Sequence, residues 1–161
     1  MSDARDAGVT PARPSSLPAR LLLQVRAWLE AVPYSVLAIP LRLGVAWIFW
    51  SSAQVKLINW HRTIDLFTEE YRVPILPPEL AASLSLAIEI ACPILLVLGL
   101  LTRFAVVVLM GMTAVIQIFV YPEAWPTHLQ WVAMMLVLLC RGAGTFSLDH
   151  LLWRWLQSKL R

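Results

Sequence analysis

Glu89 is the residue whose type and position most clearly allow chemistry, because it is the only charge within the apolar residues 80–102. An ionisable group at the centre of a membrane costs at least about 2.5–3.5 kcal/mol, so it is usually retained for a partner or a pathway. Pro93 lies four residues later, and a helical proline cannot donate the N–H that the carbonyl of Glu89 would receive. Side chain and backbone therefore both need partners at this level.

Small and polar residues form a stripe with Glu89 at alternating steps of three and four: Ala82, Ser85, Glu89, Cys92, Leu96 and Gly99. Membrane helices pack through small residues, so we predict that Glu89 points into a helix bundle. Antiparallel packing against the preceding apolar helix sets Glu89 level with Phe49. Lys56 and Arg42 then lie about 10 Å to either side, at 1.5 Å per residue.

Amides and a histidine complete the candidate site. Gln54 and Gln117 are candidate donors to Glu89, and His128 lies at the outer mouth of the last predicted span. We therefore expect an outward-opening polar cavity lined by Lys56, Glu89, Gln54, Gln117 and His128. Glu89 is the candidate catalytic residue, as a ligand, quinone or proton site.

A structural interpretation of the same residues stays open. Glu89 paired with Lys56 or Arg42 can simply hold helices together, and a long lysine side chain can instead reach the lipid headgroups. His128 then becomes an interfacial residue, and the glutamines make ordinary hydrogen bonds between helices.

The composition places the chain in a membrane. Of the 161 residues, 59% are hydrophobic and 14% are charged, whereas a soluble domain carries about 25% charged residues. The mean hydropathy is +0.70. Basic runs with interleaved aromatic residues, which mark nucleic-acid binding, do not occur in the sequence, so we expect the lipid bilayer and other proteins as partners and no nucleic acid.

Four stretches have the length of helical spans, which is roughly 20 residues. They lie near residues 36–57, 80–102, 104–121 and 127–140. We predict an all-α integral membrane four-helix bundle over residues 36–144. Leucine and tryptophan at helical spacing predict amphipathic interfacial helices at both ends, in residues 17–35 and 145–161. The polar residues 1–16 are predicted to be a disordered cytoplasmic tail.

Basic residues are unevenly distributed between alternate connections. With the N-terminus inside, the outer side holds Lys56, Arg62 and Arg72, and the other ten of the 13 basic residues lie inside, Arg42 among them. This bias predicts a multi-pass protein of the bacterial inner membrane with both termini cytoplasmic. Arg103 and Arg141 are interpreted as topology anchors.

Cysteine and metal chemistry find little support in the sequence. Cys92 and Cys140 both fall inside predicted spans, without C-x-x-C or zinc spacing, and are predicted to be small buried core residues. We expect no metal site and no covalently bound cofactor. Whether the chain is an enzyme stays open.

Three segments carry an ordered set of motifs: LRLGVAWIFWSSAQVKL at 41–57, VPILPPELAASLSLAIEIACPILLVLGLLTRFA at 73–105 and HLQWVAMMLVLLCRGAGTFSLDH at 128–150. Their order and spacing, over roughly residues 36–150, resemble the DoxX family of small four-helix bacterial membrane proteins. The most specific parts are Glu89, the G-L-L-T-R turn ending at Arg103, and the G-x-G-x-x-S-L-D ending at Asp149. By this resemblance Lys56, Glu89 and Arg103 match the polar positions of the family pattern.

The resemblance implies a redox setting. The family is named with a subunit of thiosulfate:quinone oxidoreductase, and other members are linked to membrane redox and stress-detoxification complexes. We therefore expect the membrane subunit of a redox or detoxification system that works with quinone or partner proteins. The alternatives are a non-enzymatic membrane anchor or assembly partner, and a small-solute or metal-ion carrier acting as a homo-oligomer.

Overall fold

The structure is a computed structural model, in which residues 17–71 and 76–160 are described. This part of the chain is all-α and contains no strand, as the sequence predicts. The predicted tail of residues 1–16 lies outside the described residues, and so do Arg72 and Pro74.

The chain divides into two compact units after Pro33. The first contains α1 (Leu17–Glu30), which confirms that the predicted amphipathic segment is helical. Arg26 Nε lies 2.7 Å from Glu30 Oε1 on its surface, and no residue of α1 is buried. The position of α1 at a membrane surface stays a prediction.

The described part of the second unit contains the α-helices α2 (Tyr34–Ile58), α3 (Trp60–Leu66), α4 (Pro78–Leu98), α5 (Thr102–Val115), α6 (Trp125–Arg141) and α7 (Leu148–Lys159). A π-helical turn, Phe67–Tyr71, follows α3, and another, Ile116–Val120, extends α5. α2 and α5 each pack against both α4 and α6. Their shared core includes Val45, Phe49, Leu96, Leu109, Met135 and Leu138.

Three stretches of the second unit are long and apolar enough to cross a membrane: Tyr34–Ile58, Pro78–Leu98 and Thr102–Val120. Their outward faces expose large apolar side chains such as Trp47 and Phe104, as contact with lipid requires. The chain is therefore an all-α membrane protein. α6 has 17 residues, at the lower end of the span range, and its crossing of the membrane stays a prediction.

The second span ends four residues earlier than the predicted boundary at Thr102, because Gly99 leaves the helical conformation at φ 64°. Gly99 N donates to Leu96 O at 3.1 Å and Leu100 N to Leu95 O at 2.9 Å. This pair of bonds is a Schellman motif, in which a left-handed glycine satisfies the last carbonyls of a helix.

The connection between α2 and α4 contains the short helix α3. Asn59 caps α3 by accepting a hydrogen bond from Arg62 N at 3.1 Å. In the π-helical turn that follows, Phe67 is buried against Ala81 and Ala82 of α4. Residues 60–71 of the connection thus pack against the bundle at the end at which Lys56 lies.

The tail after α6 is also helical, as predicted. Ser147 Oγ caps α7 by accepting a hydrogen bond from His150 N at 3.2 Å. No residue of α7 is buried, although the helix contains several leucine and tryptophan residues. Its place at the membrane surface stays a prediction.

The two cysteines differ in environment. Cys92 is buried in the core, as predicted, but the prediction is wrong for Cys140, which is exposed. Leu138 is the buried residue of this turn of α6, and two residues further along a helix turn the side chain by about 200°. Cys140 therefore faces outward.

Candidate functional site

The central feature of the bundle interior is an ion pair between α2 and α4. Lys56 Nζ lies 2.7 Å from Glu89 Oε1 and 2.8 Å from Oε2. Glu89 is 1% exposed, which confirms the prediction that it points inward. The sequence places Lys56 and Glu89 at different levels along the helix axes, and their side chains extend far enough to make direct contact.

Ser52 completes this ion pair into a closed network. Lys56 Nζ donates to Ser52 Oγ at 3.0 Å, and Ser52 Oγ donates to Glu89 Oε1 at 3.0 Å. An ammonium has three N–H donors, and all three have acceptors here. Ser52 was not among the predicted site residues, although its position four residues before Lys56 puts both on one helix face.

Small residues allow the two helices to approach closely enough for this contact. Ala53 of α2 and Ala82 of α4 are both fully buried, and Cys92 of α4 is nearly so. The predicted stripe on α4 therefore does face the interior, and it carries Glu89 with it.

A cavity of about 390 Å³ lies beside the ion pair, among α2, α4, α5 and α6. Its walls are mainly apolar and aromatic, with Phe49, Ile88, Met112 and Trp131 among them. The expectation of a polar cavity is wrong in this respect. Among the described residues, its polar lining groups include the side chains of Ser52, Lys56, Tyr71, Ser85, Tyr121 and His128.

Ser85 differs from the other polar groups of the cavity. Its Oγ is buried and has no hydrogen-bond partner among the described residues. Ser85 precedes Glu89 by four residues and so lies one helical turn away on the same face of α4. The closed ion pair thus has an unpaired hydroxyl beside it.

His128 is 5% exposed, and its Nδ1 lies 2.6 Å from Gln117 Oε1. The Gln117 amide nitrogen donates to Pro122 O at 2.7 Å, so its oxygen is the acceptor and Nδ1 carries the proton. In a neutral imidazole Nε2 is then an acceptor. The predicted contact of Gln117 with Glu89 is wrong, because both ends of this amide are engaged elsewhere.

Gln54 does not reach Glu89 either. Its position is exposed, because two residues after Ser52 a helical side chain has turned by about 200°. The predicted contact between Gln54 and Glu89 is therefore wrong, and the polar partner on α2 is Ser52 instead.

Three aromatic side chains that line the cavity contact one another. The ring centroids of Phe67 and Tyr71 are 5.0 Å apart, and those of Tyr71 and Tyr121 are 5.7 Å apart. Tyr121 Oη lies 3.2 Å from Tyr71 Oη and 3.3 Å from Glu70 Oε1. The pKa of Tyr71 is raised, mainly by burial and to a smaller extent by the hydrogen bond with Tyr121. This phenol therefore stays protonated at neutral pH.

Arg42 lies at the opposite end of the bundle and binds backbone oxygens. Its guanidinium donates to Leu96 O at 2.8 Å and Val97 O at 2.6 Å at the end of α4. It also donates to Ala143 O at 3.2 Å and Phe146 O at 2.8 Å. The alternative of an Arg42–Glu89 pair is therefore wrong.

Asp149 and Gly99 link the turn between α4 and α5 to the start of α7, at the same end of the bundle as Arg42. The Asp149 carboxylate accepts from Leu101 N at 2.7 Å and Thr102 N at 3.0 Å, at the start of α5. Asp149 N donates in turn to Gly99 O at 2.9 Å. The two motifs of the G-L-L-T-R turn and the G-x-G-x-x-S-L-D segment thus bind each other.

The other residues predicted to be structural occupy the same end or the core. Arg103 Nε donates to Leu139 O at 3.1 Å, near the end of α6. Arg141 lies over the ring of Tyr34, with Cζ 5.0 Å from the centroid. Pro93 is buried within α4.

Comparison with known proteins identifies the family of the chain. The family model of DoxX matches residues 37–122, a range that includes Ser52, Lys56, Ser85 and Glu89. An uncharacterized protein of Haemophilus influenzae is 27% identical over 135 residues, covering 77% of this chain and 88% of that protein. No solved structure matches the chain. With more than half of its length matched by the family model, the chain belongs to the DoxX family.

Proposed function

We propose that this protein is the membrane subunit of a redox or detoxification system, and that it binds a quinone in the cavity beside Lys56 and Glu89. The observation that carries the proposal is a buried ion pair next to an apolar, aromatic cavity of about 390 Å³. Ligand sites generally have volumes of about 300–1,000 Å³, with apolar walls and few polar groups.

The walls of the cavity suit a planar, apolar head group that enters from the lipid. Phe49 and Trp131 meet edge to face with centroids 5.8 Å apart, and both line the cavity. Aromatic rings favour offset or edge contacts with another ring. A quinone ring offers such a face, together with two carbonyl oxygens that accept hydrogen bonds.

The ion pair supplies titratable groups beside the bound head group. Reduction of a quinone to a quinol takes up two electrons and two protons. We propose that a partner protein supplies or removes the electrons, and that Glu89 exchanges protons while Lys56 balances its charge. Lys56 and His128 line the entry in this proposal, since both side chains border the cavity.

The quinol-to-quinone ratio extracted from host membranes tests this function without knowledge of the partner's substrate. The gene is deleted and complemented with wild type, Glu89→Gln or Glu79→Gln, the last being an exposed carboxylate in the first turn of α4. We expect deletion and Glu89→Gln to shift the ratio alike, and Glu79→Gln to restore it. A wild-type ratio in the Glu89→Gln strain would sink the proposal.

A non-enzymatic anchor or assembly partner is the second candidate. It is favoured by the closed network, in which every ammonium proton of Lys56 and both oxygens of Glu89 have partners within the protein. The double variant Lys56→Met/Glu89→Leu separates the two candidates. An anchor keeps its function with this apolar pair, whereas a quinone site that uses Glu89 for proton exchange loses it.

We also propose the bacterial inner membrane as the location, with both termini in the cytoplasm. Supporting this, Arg42, Arg103 and Arg141 all bind groups at the end of the bundle opposite Lys56, as the positive-inside rule expects of the cytoplasmic side. A reporter enzyme active only in the periplasm, fused after Lys159, should be inactive. Its activity would reverse the orientation.

A further inference from the structure

The cavity contains one hydroxyl whose hydrogen bonding is unfinished. Ser85 Oγ is buried and has no partner among the described residues, and Ser85 borders the cavity. A buried polar group without a hydrogen bond costs roughly 1–3 kcal/mol. Such a group in a native protein needs an explanation, and a ligand is one.

The hydroxyls of Ser83 and Thr113 in the same bundle behave differently. Ser83 Oγ donates to Glu79 O and Thr113 Oγ1 to Leu109 O, both at 2.8 Å, which is the usual bond to the carbonyl four residues earlier. Ser85 makes no such bond, although Ala81 stands at the corresponding position. Thr102 Oγ1 is the other buried hydroxyl without a partner among the described residues, and it lies at the far end of the bundle, away from the cavity.

The ion pair has no free hydrogen-bond donor to offer a neutral ligand. The three protons of Lys56 and the hydroxyl proton of Ser52 are all donated within the network. A ligand oxygen would have to break one of these charge-assisted bonds, which are roughly twice as strong as neutral ones. The Ser85 hydroxyl can donate without breaking any bond.

We infer that the Ser85 hydroxyl recognises a carbonyl oxygen of the ligand, so that the cavity selects uncharged, carbonyl-bearing ring compounds over plain hydrocarbons of the same shape. This inference rests on the proposed quinone function and names the residue that recognises the quinone head group by a hydrogen bond. Ser85, which binds the ligand's carbonyl oxygen in this proposal, lies one helical turn from Glu89 on the same face of α4. Ser85 is a specificity residue in this proposal, and Glu89 remains the proton-exchanging group.

Equilibrium binding to the full-length protein in lipid nanodiscs tests this inference, with empty nanodiscs subtracted. The probes are a labelled short-tailed benzoquinone and a benzene derivative with the same tail and no carbonyl oxygen. The variants are Ser85→Ala and the matched control Ser83→Ala on the exposed side of the same helix. Both substitutions place a good helix former in α4, and the carbonyl-free probe also reports whether the cavity remains intact.

We expect Ser85→Ala to weaken benzoquinone binding by about threefold to tenfold, as the loss of one hydrogen bond predicts. Ser83→Ala should bind like wild type, and the carbonyl-free probe should bind all three proteins equally. Equal benzoquinone affinity of wild type and Ser85→Ala would overturn the inference and leave the proposed function standing. An equal loss with both probes would also overturn it, because packing would then be the cause. If the wild type shows no saturable benzoquinone binding, the proposed function falls and the inference falls with it.

Discussion

Lys56 and Glu89 are 33 residues apart in the sequence, and Lys56 Nζ lies within 2.8 Å of both carboxylate oxygens of Glu89. The two charges lie in a bundle interior, where desolvation of each is expensive unless hydrogen bonds compensate. Ser52 provides that compensation by accepting from one partner and donating to the other. The pair is therefore a stable unit that links α2 to α4.

The first prediction concerns this link. Glu89→Gln or Lys56→Met leaves one buried charge unpaired, and we expect each to lower the free energy of unfolding by about 3–5 kcal/mol. The double variant Lys56→Met/Glu89→Leu removes both charges and should recover most of that loss. Denaturant unfolding in one detergent, followed by tryptophan fluorescence, measures all three. Additive losses in the double variant would show that the two residues do not act as a pair.

The sequence predicts that Glu89 points inward, as it does, and leaves its partner open. The stripe from Ala82 to Gly99 was enough to turn the carboxylate inward, because small residues mark a packed helix face. The choice between Lys56 and Arg42 could not be made, since both lie at similar axial distances from Glu89. That choice depends on the carbonyls of Ala143 and Phe146, which lie more than 100 residues from Arg42 in the chain.

A second prediction concerns Arg42, which donates four hydrogen bonds to backbone carbonyls. Hydrogen bonds to charged groups contribute about 1.5–3 kcal/mol each, so we expect Arg42→Met to lower the free energy of unfolding by at least about 3 kcal/mol. Arg62→Met removes an exposed cation of α3 and is the matched control, with an expected change below about 0.5 kcal/mol. Equal stability of the two variants would contradict the assigned role of Arg42.

Gly99 gives a third prediction. A Cβ at this position would lie 2.6 Å from Ser147 Cβ and 2.9 Å from Arg42 Cζ, and the backbone φ is +64°. We expect Gly99→Ala to destabilise the protein by about 2–5 kcal/mol, through left-handed strain and overpacking.

Gly111 is the control for Gly99, because a Cβ there meets nothing within 4 Å. Gly111→Ala lies inside α5 and should raise stability by up to about 1 kcal/mol. Thermal unfolding of the two variants in the same lipid or detergent compares them directly. A Gly99→Ala protein as stable as Gly111→Ala would exclude close packing at this turn.

A fourth prediction concerns Asp149, whose carboxylate accepts hydrogen bonds from Leu101 N and Thr102 N at the start of α5. Asp149→Asn weakens a charge-assisted cap at a helix N-terminus, and we expect a loss of about 1–2 kcal/mol. Asp65→Asn changes a carboxylate of α3 for which no cap bond is observed, and it should leave stability unchanged. If both substitutions have the same effect, the bond between the two motifs does not hold the start of α5.

The partners of the two glutamines could not be predicted from the sequence. Gln54 and Gln117 both lie in apolar stretches, and by sequence they are equivalent candidate donors to Glu89. Gln54 is exposed and Gln117 is hydrogen-bonded to His128, because the rotation of each helix about its axis decides which residues its side chains contact. Ser52 and Ser85 have ordinary side chains for a membrane helix, so only the packed bundle distinguishes the closed network from the unpaired hydroxyl.

Photo-crosslinking with an azido-benzoquinone in nanodiscs tests quinone binding at the ion pair most directly, with the labelled residues located by mass spectrometry. We expect light-dependent labelling of cavity residues such as Ile88, Met112 and Trp131, suppressed by excess unlabelled benzoquinone. An outer groove of about 520 Å³ between α2 and α4, lined by Trp47 and Trp50 among others, is the internal control. Labelling confined to that groove, or labelling that unlabelled benzoquinone does not suppress, would contradict a quinone site beside Lys56 and Glu89.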